Sequence, residues 1–149
     1  MTRQRYLIDA YGPDEHAMGL ALRTCEFLAN DCGNAFAMVV DCIFSTSENE
    51  SLLKLLGRDA FDSLIANGTA IFNEIQVSIY EADTFPNTIK TPVVLLPFCH
   101  NATLLKIEAR EHVSTIVAFP WREGDTEEWE RTYNPRLVKR DFPVSKLLP

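Results

Sequence analysis

A chain of 149 residues, 46% hydrophobic and 23% charged, can bury one sizeable core and is too apolar for a disordered polymer. Its 21 acidic and 14 basic residues give a formal net charge of −7. The basic side chains are scattered apart from small groups at 3–5 and 136–140, so the basic stripe that neutralises phosphates is missing and nucleic-acid binding is disfavoured.

No window approaches the ~20 apolar residues of a membrane span. The run Tyr6-Leu7-Ile8 is far too short for a secretory signal. Cys25, Cys32, Cys42 and Cys99 match no zinc ribbon, C-x-x-C pair or disulfide framework. A soluble, reduced, cytosolic protein with no membrane or nucleic-acid partner is the expectation.

In chain order, Tyr6-Leu7-Ile8 opens a short strand that Gly12-Pro13 breaks. Asp14 and Glu15 place negative charge at the start of a helix, whose apolar positions Ala17, Ala21, Cys25 and Leu28 recur at helical spacing. Leu20 and Phe27 add a second apolar face, which suits deep packing or a homodimer contact through this first helix. Gly33 is a fitting left-handed stop.

Residues 35–44 form an apolar run broken only by Asp41, the pattern of a buried parallel strand. Two short helical pieces follow, one around Leu52, Leu53, Leu55 and Leu56, the other around Ala60, Phe61, Leu64 and Ile65. Ile71-Phe72 and the alternating residues 75–80 flank Asn73-Glu74 and predict an antiparallel edge hairpin; residues 85–90 read as a loop. Val93-Val94-Leu95-Leu96, between Pro92 and Pro97, is the clearest buried strand. Asn101 is placed to N-cap the next helix. Residues 115–119 are the last confident strand, and Asp125-Thr126-Glu127-Glu128 resembles a capping box ahead of Trp129 and Tyr133. Leu137-Val138 reads as a further short strand, and residues 141–149 as a surface tail of a single domain. This alternation predicts a three-layer α/β sandwich with a mostly parallel central sheet and an antiparallel edge hairpin. Its layering is Rossmann-like, but no G-x-G-x-x-G or Walker motif is present.

The polar residues with chemical potential each follow a strand, which would gather them where open α/β sheets hold ligands. Cys99-His100-Asn101 is the sharpest group. A cysteine between a strand end and a helix N-terminus would have a stabilised thiolate, with His100 or His16 as base and Asp9 orienting it. Packing or lining of the crevice is the favoured explanation of Cys99 and His100, because a motif this short is weak evidence. Asp14, Glu15 and His16 are what any helix start carries, and Ser45, Thr46 and Asn101 suit caps and turns as well as an oxyanion.

Tyr11, Trp121 and Arg122 are candidate ligand contacts, with Trp121 and Trp129 either an aromatic wall or the end of the core. Asp41, a carboxylate in an apolar run, needs a hydrogen-bonding partner. His16, His100 and His112 form no metal-binding pair, and no metal or cofactor is expected. The leading expectation is a domain binding a partner protein or small ligand at the carboxyl edge of its sheet. The alternatives are a hydrolase or transferase with a Cys99 nucleophile and a nucleotide-binding regulator using Ser45, Thr46 and Asn101.

Overall fold

The apolar runs become the strands of one seven-stranded sheet in a computed structural model that describes residues 3–87 and 92–147. The strands are β1 (Gln4–Ile8), β2 (Ala35–Val40), β3 (Thr69–Phe72), β4 (Ile75–Glu81), β5 (Val93–Cys99), β6 (Thr115–Pro120) and β7 (Arg136–Val138). Their spatial order is β3-β4-β2-β5-β6-β1-β7, and the β3–β4 hairpin is the one antiparallel pair. Asn73 and Glu74 at its turn both have positive φ, 50° and 68°, as a two-residue type I′ connection requires. Residues 88–90 of the expected loop lie outside the described residues.

Helices cover both faces, completing a three-layer α/β sandwich. On one face α1 (Glu15–Ala29), α3 (Glu50–Leu56) and α4 (Arg58–Asn67) pack on the inward side chains Tyr6, Ile8, Phe36, Met38, Leu95 and Phe119. On the other, α5 (Asn101–Glu108) and α6 (Glu127–Tyr133) pack on Leu7, Val39, Val94, Leu96 and Ala118. Strand residues alternate between these two clusters, as a period of two dictates. A four-residue helix, α2 (Ile43–Thr46), follows β2 directly.

No helix among the described residues is long and apolar enough to cross a membrane. The broad apolar surface of α1 is covered within the chain. Leu20 is buried, Phe27 packs against the same core, and Gly19 lets the Leu55 side chain of α3 approach closely. That surface therefore gives no separate argument for self-association. α1 ends at Ala29, one turn before Gly33, which instead shapes the turn into β2. The tail is more than a surface strap, because Leu147 is buried in the α1-side core and its carbonyl accepts from Arg136.

Two caps differ from expectation. Asn101 is the first residue of α5, not its N-cap, and its Oδ1 accepts the Trp129 N–H at 3.0 Å. That contact supplies from a neighbouring helix the cap that α6 lacks at its own N-cap, Thr126. Asp125 therefore does not cap α6; its carboxylate accepts the Arg122 N–H instead.

Trp129 is fully buried, so its indole N–H needs a partner, and Glu108 Oε2 provides it at 2.8 Å. The same carboxylate pairs with Arg3 at 2.8 Å and Arg5 at 2.7 Å. Burial works to raise the pKa of Glu108, but donors from Arg5, Trp129 and Arg3 outweigh it and hold the carboxyl below its ordinary value. Removing one member of such a set leaves buried partners uncompensated, at a cost of about 3–5 kcal/mol. Glu108→Ala is accordingly expected to lose about that much in urea unfolding at neutral pH. A depressed native carboxyl stabilises the fold fully above its unfolded value and loses that contribution as pH falls through the native one. The wild-type advantage over the variant should therefore shrink as pH drops below 4.5. A constant gap between pH 7 and pH 3 would contradict the assignment.

Candidate functional site

The sheet parts at its carboxyl edge between β2 and β5. Their ladder covers only Ala37↔Val94 and Met38↔Leu95, while β2 stays paired to β4 as far as Val40↔Glu81. On the other side β5 stays paired to β6 as far as Cys99↔Pro120. The same point is a topological switch. The connection after β2 runs toward β3 on the α3–α4 face, and the connection after β5 runs toward β6 on the α5 face. Crevices outside such divergences are the usual ligand sites of open α/β sheets.

A cavity of about 360 Å³ occupies the parting. Its β2 side is formed by Val40, Asp41 and Cys42, continuing through Ser45 and Thr46 of α2 to Asn49 and Leu52 at the start of α3. Its β5 side is formed by Pro97, Phe98 and His100, with Trp121 arriving from the end of β6. The volume falls at the lower end of the range for small-molecule sites.

Asp41 lies one residue past the end of β2, so the apolar run 35–44 is a six-residue strand followed by a polar turn and α2. Its carboxylate needs no burial, but it is well held. His100 Nε2 approaches Oδ2 at 2.7 Å and Thr103 Oγ1 donates to Oδ1 at 2.5 Å. An ionised Asp41 takes the Nε2 proton as its hydrogen bond, which leaves Nδ1 of His100 as the ring's free nitrogen.

Cys99 is not in the cleft. The β5–β6 register shifts between Pro97 and Cys99, and Phe98 sits unpaired in the gap with φ 53°. A bulge of this kind reverses the alternation beyond it. Phe98 is thereby placed on the α1-side cluster and Cys99 in the α5–α6 cluster, opposite to what regular alternation would give. Cys99 is 2% exposed, and burial pushes its thiol far above the ordinary range. The expected thiolate is therefore absent at Cys99, because the helix start lies beside it while the side chain enters an apolar core.

Cys32 and Cys42 are both partly exposed, and Cys42 is the thiol that lines the cleft. The Ser45 backbone N–H and hydroxyl, with the Phe44 N–H, hold it below its ordinary value against a smaller desolvation effect. Reading 35–44 as one strand hides this residue. The signal that exposes it is Asp41, a charged residue six places into an apolar run, which marks the strand end.

The remaining candidates separate. Ser45, Thr46, His100 and Trp121 meet at the cleft, whereas Asn101 turns to α6. Gly12, at φ 78°, donates its N–H to the Pro120 carbonyl and folds the β1 loop against the end of β6. That turn sets Tyr11 beside Trp121 and Arg122 in a shallow neighbouring recess. Asp9 and His16 are exposed and line neither cavity. The two tryptophans divide, Trp129 into the core and Trp121 to the cleft, where Phe98 meets it edge-on at 5.4 Å. His112 lies at the opposite edge of the sheet, stacked on Phe85. Among the described residues no three His, Cys, Asp or Glu side chains gather as a metal site.

No protein-family model matches the chain, and no curated protein matches it. Chemically, the cleft offers one held carboxylate, one imidazole, a thiol held below its ordinary pKa, two hydroxyls and an aromatic wall. Mass-spectrometric alkylation against pH is expected to label Cys42 first, with a midpoint below that of a free thiol, while Cys25 and Cys99 react only on unfolding. Labelling of Cys99 at the rate of Cys42 would show that the bulge does not hold it in the core.

Proposed function

We propose that this chain binds a small organic ligand in the cleft between the carboxyl ends of β2 and β5. The observation that carries the reading is the parting of the sheet at its switch point, with polar groups from three separate loops converging on one cavity. Pockets that combine an apolar wall with a few placed polar groups are the default small-molecule sites. A phosphate-led nucleotide site has less support. Asn101 is engaged with α6, and among the described residues no Lys or Arg lines the cleft.

An ¹⁵N NMR screen of neutral fragments should give hits whose shifts cluster at residues 40–49 and 97–103 and at Trp121. Ser45→Trp, which fills the cleft from an exposed position, should abolish those hits while leaving the melting temperature within about 2 °C, the range of a harmless surface change. Hits scattered over the surface, or unaffected by the bulky residue, would sink the reading.

A second reading, covalent catalysis, is favoured by one observation: the Cys42 thiol, held below its ordinary pKa, shares the cleft with an imidazole held by Asp41. In it the Cys42 thiolate attacks an acyl carbonyl, forming a C–S bond. The Cys42 thiol proton, taken up by His100, leaves with the departing group as its bond to the carbonyl carbon breaks; water then hydrolyses the thioester, releasing the acid and restoring the thiol. Turnover of p-nitrophenyl esters or acyl thioesters should vanish in Cys42→Ser. It should fall by about 10²–10⁴ in His100→Ala, the usual contribution of a positioned acid–base group. Turnover that survives Cys42→Ser excludes this chemistry.

A further inference from the structure

We propose that the cleft selects a small arylalkyl amine, with its planar aromatic ring against Trp121 and its ammonium group toward Asp41. This rests on the ligand-binding reading above and names the class of ligand.

Charge sets the first half of the argument. The ionisable side chains lining the cavity are Asp41, Cys42 and His100, and there is no Lys or Arg among its lining residues. With Asp41 ionised, a neutral His100 leaves the set at one negative charge, and a protonated His100 brings it to zero. A thiolate at Cys42 lowers either sum by one more. No such state is positive, so an entering anion meets no compensating charge, while a cation meets a carboxylate. Asp41 remains able to serve, because its side chain is 51% exposed and His100 and Thr103 each engage a different oxygen. A carboxylate oxygen has two lone pairs, so each can accept a second donor. The chain's net charge of −7 biases the same way over a longer range. Arg122 lies in a neighbouring recess with Tyr11 and Glu123, and Lys106, the cation whose charge couples to Asp41, is paired with Asp83 at 2.6 Å and does not line the cleft.

The wall sets the second half. Trp121 is 40% exposed, and its contact with Phe98 is edge-on with the rings at 90°, so part of the indole stays open to the cleft. Phe98 is in turn braced on Phe119 at 5.3 Å. A bulky residue in the left-handed region carries a conformational cost that glycine does not. Such outliers concentrate where function requires a placement that regular structure does not supply. Here the placement is the prop beneath Trp121. An indole face also attracts cations directly, which makes an ammonium-bearing ring doubly suited to this wall.

The test uses four probes on the full chain, by isothermal titration and ¹⁵N NMR. Tryptamine, indole and indole-3-acetate carry one ring and charges of plus one, zero and minus one; 2-cyclohexylethylamine carries the charge without the aromatic ring. Tryptamine should bind at least tenfold more tightly than indole-3-acetate, with indole between them, and at least fivefold more tightly than the cyclohexyl amine. In Asp41→Asn, the tryptamine-to-indole ratio should fall toward one. The wild-type ranking decides the charge preference even if that variant is unstable, and Trp121→Leu should erase the aromatic preference independently. Equal binding of tryptamine and indole-3-acetate, with both mapping to the cleft, overturns this inference and leaves ligand binding standing. No cleft shift from any of the four probes or from the neutral fragments overturns both.

Discussion

A parallel sheet covered on both faces must reverse the direction of its connections somewhere, and the site depends on that constraint. In this chain, leftward connections place α1, α3 and α4 on one face, and rightward ones place α5 and α6 on the other. That segregation is what a single crossover hand produces. β2 and β5 are the neighbours whose outgoing chains diverge, so no helix bridges their carboxyl ends. Pro97 adds to the opening, since it has no N–H to offer a neighbouring strand. The cleft is thus a gap that the topology leaves and the side chains furnish.

α5 joins this gap to the rigid part of the molecule. Its first turn and the residue before it supply Thr103 and His100 to Asp41, while Asn101 caps α6 and Glu108 anchors Arg3, Arg5 and Trp129. One eight-residue helix and the residue that precedes it therefore carry the cleft's imidazole and the main buried polar node. Its placement is over-determined from both ends, the condition under which a site keeps its geometry without a ligand.

The fold was legible because its signals are local and repeated. The apolar runs, the Asn73-Glu74 turn and the Asp14 start of α1 each carry their own physical cause, and the layers follow from their order. Even the short edge strand at Leu137-Val138 was visible. The carboxyl edge of the sheet was legible as the place where polar residues gather, and His100, Trp121, Ser45 and Thr46 line the cleft there. What was hidden depends on contacts distant in sequence or on one irregular residue. Asn101 looks like a cap in its own segment and becomes a cap for a helix 28 residues away. Cys99 and Cys42 exchange prominence because alternation is counted through Phe98 in one case and past Asp41 in the other. No propensity marks phenylalanine as left-handed; the neighbouring strand and the ring stack impose it.

The bulge at Phe98 sets backbone ease against side-chain packing. Glycine would hold φ 53° without steric cost, so the backbone alone favours replacement at this position. The ring it would delete is the one that braces Trp121. Backbone ease and ring packing therefore pull this single codon in opposite directions, and the residue present is the one whose ring packs on both Phe119 and Trp121.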